Sequence, residues 1–170
     1  MTDPRAPSSN IELRVLQPHQ VASVRQEVSQ ALVTQSLGQC FRQVREALAE
    51  QGVATDGSPF ARWHTWGEHV DMEVGLIVPQ AITAAGEVKP SELPGGPAAI
   101  AVHAGPYEGL RATYDAISAW LTRAGREASG GAWEIYLTDP SAEPDPTRWL
   151  TEVIFPLRPE QGTAADEPTS

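Results

Sequence analysis

Two carboxylates stand in segments whose alternation marks them as β-strands. In residues 71–78 (DMEVGLIV) a period of two puts Asp71, Glu73 and Gly75 on one face and Met72, Val74 and Leu76 on the other. In residues 150–156 (LTEVIFP) Glu152 shares a face with Leu150 and Ile154, so it stands among apolar neighbours. A carboxylate so placed is costly unless it is hydrogen-bonded or paired. It is either bonded to a nearby Tyr or Arg, or merely exposed, or it is an anion set to meet a cationic ligand.

Aromatic residues gather in the same segments. The chain has five tryptophans. Trp63, Trp66, Trp133 and Trp149, together with Tyr136, fall in or beside predicted strands. Aromatic faces attract cations and hold flat organic molecules without exacting hydrogen-bond geometry, although each ring can equally be a core residue. A third group is residues 103–110 (HAGPYEGL), a tight strand-to-helix turn that sets Tyr107 and Glu108 near the first turn of a helix. Tyr107 there either packs over the helix start or lines a pocket.

Other chemistries find no support. His19, His64, His69 and His103 form neither HExxH nor a Cys/His zinc spacing; His64 and His69, five apart across a predicted turn, are a weak metal signal. There is no nucleophile elbow, P-loop or dinucleotide fingerprint, so no metal and no cofactor is expected. The single cysteine, Cys40, lies on the apolar face of a predicted helix, reads as core and excludes an internal disulfide.

The formal charge is -10, with the 12 basic residues scattered, which argues against nucleic acid. An acidic surface favours cationic ligands and also serves solubility. No apolar run approaches about 18 residues and the start resembles no targeting signal, so a cytoplasmic protein without membrane contact is expected, as monomer or homodimer.

The elements that must position these residues follow from periodicity and punctuation. Residues 11–15 alternate as a half-buried strand, which residues 20–26 would continue past a kink at Pro18. Leu37, Cys40, Phe41, Val44, Ala47 and Leu48 recur at helical spacing, predicting a helix over 36–51 with Ser36 as N-cap and Gly52 beyond its end. Residues 60–66 and 70–78 read as strands. Residues 86–97, rich in Pro and Gly, read as a connection. A strand over 98–103, a helix ending near Gly125, and strands over 133–138 and 149–157 complete the chain. Polar stretches at 1–10 and 159–170 read as tails.

The order is β-α-β-β twice, with halves at about 11–79 and 98–158 joined by 80–97. FARWHT (60–65) matches WEIYLT (133–138), which sets Trp63 against Tyr136, and Glu73-Val74 matches Glu152-Val153. The fold expected is α+β: two pseudo-repeated halves forming antiparallel sheets around a central ligand cleft, each with a helix on one face and the other face turned to the cleft.

The runs HAGPYEGLRATYDAISAWL (103–121), WEIYLTDP (133–140), TEVIFPL (151–157) and VDMEVGLIVP (70–79), in this order, resemble the GyrI-like family, which includes drug-sensing domains of multidrug-responsive transcription activators. The resemblance spans about residues 11–157. It implies two β-α-β-β halves around a cleft, makes Glu152 the acidic pocket residue that meets cationic drugs, and sets Tyr136 and Tyr107 near it. Strand position and the pseudo-repeat add Trp63, Trp66, Trp133 and Glu73 to the ligand-binding set. Only about ten residues precede the first strand, so no DNA-binding helix-turn-helix is expected there.

The function expected is stand-alone binding of small lipophilic, aromatic cations, as a sensor or sequestering protein. Some free-standing members of the resembled family hydrolyse cyclopropane-bearing toxins; in that alternative Glu152 would position water and Tyr136 or Tyr107 would supply a proton, with Glu73 in reserve. A second alternative, also from the resemblance, is a gyrase-inhibitor-like protein binder.

Overall fold

The structure is a computed structural model and describes residues 10–160; most of both expected tails lies outside the described residues. Eight strands form one antiparallel sheet: β1 (Glu12–Leu16), β2 (His19–Ser29), β3 (Pro59–Thr65), β4 (His69–Ile77), β5 (Lys89–Leu93), β6 (Gly96–Ala104), β7 (Trp133–Tyr136) and β8 (Leu150–Pro156). The helices are α1 (Val33–Glu50) and α2 (Leu110–Ala124). The α+β class and the two β-α-β-β units are as expected, but the units share one continuous sheet.

The strand order is β1-β6-β8-β7-β3-β4-β2-β5. Its symmetry defines the repeat as β2-α1-β3-β4 and β6-α2-β7-β8. The two units meet where β3 pairs β7, with Ala61 opposite Glu134. Residues 20–26 therefore do not extend the first strand. They belong to β2, six places across the sheet from β1, while β1 pairs β6 of the second unit. The stretch 80–97 is likewise not mere connection, since it holds β5, which pairs β2 of the first unit. Each unit thus lends an edge strand to the other.

That exchange requires the sheet to curl. Only Gln17 and Pro18 separate β1 from β2. Six inter-strand steps of about 4.8 Å would set these strands roughly 29 Å apart in a flat sheet, whereas three Cα–Cα steps reach at most about 11 Å. The same holds between Leu93 and Gly96. The sheet is therefore a half-barrel whose concave face holds Val21, Phe60, Leu93, Ile100, Trp133 and Ile154 as its own apolar core, with Leu16 packed against it. Gly75 is needed in this curl, because a Cβ there would run into the backbone carbonyl of Ala22 on β2.

Both helices lie on the convex face. Cys40, Val44 and Leu48 of α1 pack on Val24, Met72 and Val74, and Ile117 and Leu121 of α2 on Ala99, Ala101 and Val153. Burial of such side chains contributes about 1.5–3 kcal/mol each. Helix α1 begins three residues before the predicted start, after a 3-10 turn at Gln30–Leu32, and Ser36 is buried inside it rather than capping it. Helix α2 stops at Gly125, whose φ of 65° suits a left-handed C-cap.

Candidate functional site

Helix α1 rests on β2 and β4, and α2 on β6 and β8. The central strands β3 and β7 lie between them, so side chains rising from these two strands on the convex face line an inter-helix cleft. The register decides which side chains those are. Ala61 pairs with both Val74 and Glu134, and Glu134 pairs with Val153. Directly paired residues share a face, so Ala61, Trp63, Glu134, Tyr136, Thr151 and Val153 all rise toward the helices. Arg62, Glu73, Trp133, Ile135 and Glu152 point into the half-barrel.

Glu134 is the charge at the centre of the cleft. It is 5% exposed. Its carboxylate accepts hydrogen bonds from the Tyr136 hydroxyl at 2.6 Å and from the Tyr114 hydroxyl, on α2, at 2.9 Å. Burial pushes the carboxyl above its ordinary range. The bonds from Tyr136 and Tyr114, the approach of the Trp63 indole and the nearness of His103 pull it back, but burial prevails. Both tyrosines are shifted upward in turn by burial and by the Glu134 charge, so they remain hydrogen-bond donors.

Aromatic rings pack around Tyr136, one of the two donors to this carboxyl. Tyr107, from the 3-10 turn before α2, meets Tyr136 edge-on at 5.6 Å and Trp149 at 5.0 Å. Phe41 of α1 meets Tyr136 at 6.3 Å, and Trp63 meets Trp66 at 5.1 Å. The Arg45 guanidinium lies 5.7 Å from the Phe41 ring centre, so one ring of the cleft already carries a cation. Thr151 Oγ1, beside Tyr136 in the register, is buried and has no hydrogen-bond partner. Depressions of about 570 and 360 Å³ lie elsewhere, at Ile11/Trp120 and at Glu46/Val88, and include no residue of this cleft.

The residues singled out from sequence divide between the two faces. Tyr107, Tyr136 and Trp63 meet in the cleft, and Trp66 stands at its margin, 58% exposed. Trp133 is buried in the concave core, beneath the Arg62 guanidinium at 5.3 Å. Glu73 is also on the concave side, where it accepts from Ser23 Oγ at 2.7 Å and bonds His64 Nε2 at 3.0 Å. Burial pushes the Glu73 carboxyl up, but bonds from Ser23, His64 and Ser91 outweigh it and hold the group below its ordinary range.

Glu152, half-buried, pairs with Ile135 and Val102 and so points away from Tyr136 and Tyr107. The pairing of Glu152 with either tyrosine, as a binding or hydrolytic site, is not assembled, because alternation along β7 and β8 sends them through opposite faces. The expected cleft face changes for the same reason: the carboxylate-tyrosine cluster lies on the helix-bearing side, and the opposite side carries the sheet's own apolar core.

Sequence reasoning passed over Glu134. The available signal was the alternation in WEIY, which sets Glu134 and Tyr136 on one face, and the match of Phe41 to Tyr114 by the same offset that links Phe60 to Trp133. Under that repeat, Ala61, Trp63 and Phe41 correspond to Glu134, Tyr136 and Tyr114. The cleft therefore has one apolar wall and one hydrogen-bonding wall.

The sequence profile of the GyrI-like small molecule binding domain matches residues 9–158. No protein of curated function matches significantly. Among solved structures, the C-terminal domain of EcmrR is similar at 21% identity and TM-score 0.77, over 89% of this chain and 98% of that one. SAV2435, solved bound to tetraphenylphosphonium, is similar at 9% identity and TM-score 0.63, over 88% and 94%. A hydrolase from Listeria innocua is similar at 15% identity and TM-score 0.58, over 91% and 94%. No helix among the described residues is long and apolar enough to cross a membrane.

Proposed function

The chain belongs to the GyrI-like family of small molecule binding domains, and within that family we propose that it binds lipophilic aromatic cations in the cleft between α1 and α2, with Glu134 as the counter-charge. One observation carries the reading: a carboxyl 5% exposed, held by two tyrosine hydroxyls, with Phe41 and Tyr107 packed against one of those tyrosines, Tyr136. A buried carboxyl is disfavoured as an anion until a cation accompanies it. Aromatic walls offer such a cation a face to rest on and area to bury. The phosphonium complex of SAV2435 supports the same ligand class.

Binding on this reading exchanges partners around Glu134. The rings that now pack on one another, Tyr107 on Tyr136 and Trp63 on Trp66, part to admit the ligand. The carboxyl ionises, keeps its two tyrosine donors and faces the incoming charge. Loose selectivity follows, because stacking and one central charge recognise a class rather than a compound.

The test is tryptophan-fluorescence titration with tetraphenylphosphonium on wild type, Glu134→Gln and Glu152→Gln. Quenching abolished in the first variant and retained in the second supports the proposal. Loss in the second and not the first transfers the site to the concave face. Turnover of an electrophilic substrate that Glu134→Gln binds without converting would recast the same constellation as a general acid with tyrosine support.

A further inference from the structure

Strand β1 is an outer edge of the sheet: it pairs β6 on one side, and among the described residues no strand lies on the other. Natural edges are blunted by shortness, charged side chains, proline or a covering element. The opposite edge, β5, carries Lys89 and Pro90 in its five residues. Strand β1 has neither a lysine nor a proline, its two charges, Glu12 and Arg14, offset each other in a 2.8 Å ion pair, and it exposes Leu13 at 50% and Val15 at 78%. These two and Ile11 share the helix-bearing face, while Glu12 and Arg14 share the concave face.

We propose that this edge pairs with the β1 of a second copy of the chain, antiparallel and centred on Leu13, to form a two-fold dimer with a continuous sheet. The sequence of the strand is self-complementary in that register alone. A two-fold axis normal to the sheet must pass through a residue pair, since paired residues share a face. Centred on Glu12 or on Arg14, the pairing sets like charges directly opposite, which is unfavourable. Centred on Leu13, it sets Glu12 against the partner's Arg14, Arg14 against the partner's Glu12, and Leu13 against its own copy. The Glu12–Arg14 contact within one strand, 2.8 Å with both side chains about half exposed, is replaced by two cross-strand pairs.

A second feature fits the same register. The depression of about 570 Å³ lined by Asn10, Ile11, Glu12, Trp120 and Arg123 lies along this edge, beside α2. In the Leu13-centred pairing the partner's Val15 stands opposite Ile11 on the helix-bearing face, where it falls against Ile11 and Trp120. The most exposed apolar side chain of the strand and the hollow beside it are thus brought together twice by one axis.

The experiment is sedimentation equilibrium of the full chain over a concentration series, with Glu12→Arg, Arg14→Glu, the double swap and an equimolar mixture of the two single variants. Circular dichroism checks that each is folded; both side chains are on the surface. The expected result is a wild-type dimer, self-association weakened roughly tenfold or more in each single variant, and dimers recovered in the double swap and in the mixture. A wild type that stays monomeric throughout overturns the proposal, whatever else covers the edge. A dimer indifferent to the single variants, or a mixture that fails to associate, overturns it as well.

Discussion

Replacing Glu134 by Gln removes one charge, keeps the side-chain size and leaves an oxygen for a tyrosine hydroxyl to bond. A cation seated over the carboxyl at about 4 Å gains about 4 kcal/mol at an effective dielectric near 20. Against that stands the cost of ionising a carboxyl that burial holds above its ordinary range, at about 1.4 kcal/mol per pKa unit. The ionisation cost takes away part of that gain, so Glu134→Gln should weaken tetraphenylphosphonium binding by roughly tenfold or more and by no more than about a thousandfold, the limit set by about 4 kcal/mol. A neutral tetraphenyl analogue of the same shape should lose almost nothing. Fluorescence titration, or calorimetry where solubility allows, measures both. Equal losses for the two compounds would show that Gln disturbed the packing, and no loss for either would remove Glu134 from the site; either result refutes the electrostatic reasoning.

Further outcomes follow from the same geometry. Cation affinity should rise with pH, by at most about tenfold per unit, until the folded-state value of Glu134 is passed, and then level off; binding in buffers of different ionisation enthalpy reads the proton released. Without ligand, the unfolded chain ionises this carboxyl before the folded one does, so its contribution to stability falls as pH rises between the two values; Glu134→Gln should flatten that fall in Tm. Glu73 has the opposite sign: its folded value is depressed, so it stabilises above its unfolded value and the gain disappears as pH drops through the folded one. Acid unfolding of Glu73→Gln should therefore be the less steep. Thr151→Val removes a buried hydroxyl without a partner and should leave Tm unchanged or raised; a marked drop would show that the hydroxyl is bonded.

The two-fold repeat was legible because FARWHT and WEIYLT are the strands that pair across it, and their matched residues lie symmetrically about the Ala61–Glu134 pair. Which strand opens each unit was not. The partners of β1 are residues 96–100, and no local pattern distinguishes a kink at Pro18 from a crossing to the far side of a curled sheet. Strand β5 was hidden by Pro90 and Pro94, which read as loop but are tolerated at and beyond an edge. Which carboxylate faces the helices was not legible, because apolar neighbours along a strand, as at Glu152, mark burial and not the face that is buried. In β7 both faces are buried, Trp133 and Ile135 in the half-barrel and Glu134 beneath the helices, so alternation sorts the residues into sets without telling which set faces the cleft. Tyr136 lies on the same face as Glu134 by that alternation, and Tyr107 reaches it from the turn before α2.

A crystal structure of the chain with tetraphenylphosphonium decides between the faces. The phosphonium should lie between α1 and α2, within direct reach of the Glu134 carboxylate, with Tyr107 and Trp63 moved off Tyr136 and Trp66 to flank it. A ligand in the half-barrel beside Glu152, or a cleft left closed while binding persists, would contradict this placement.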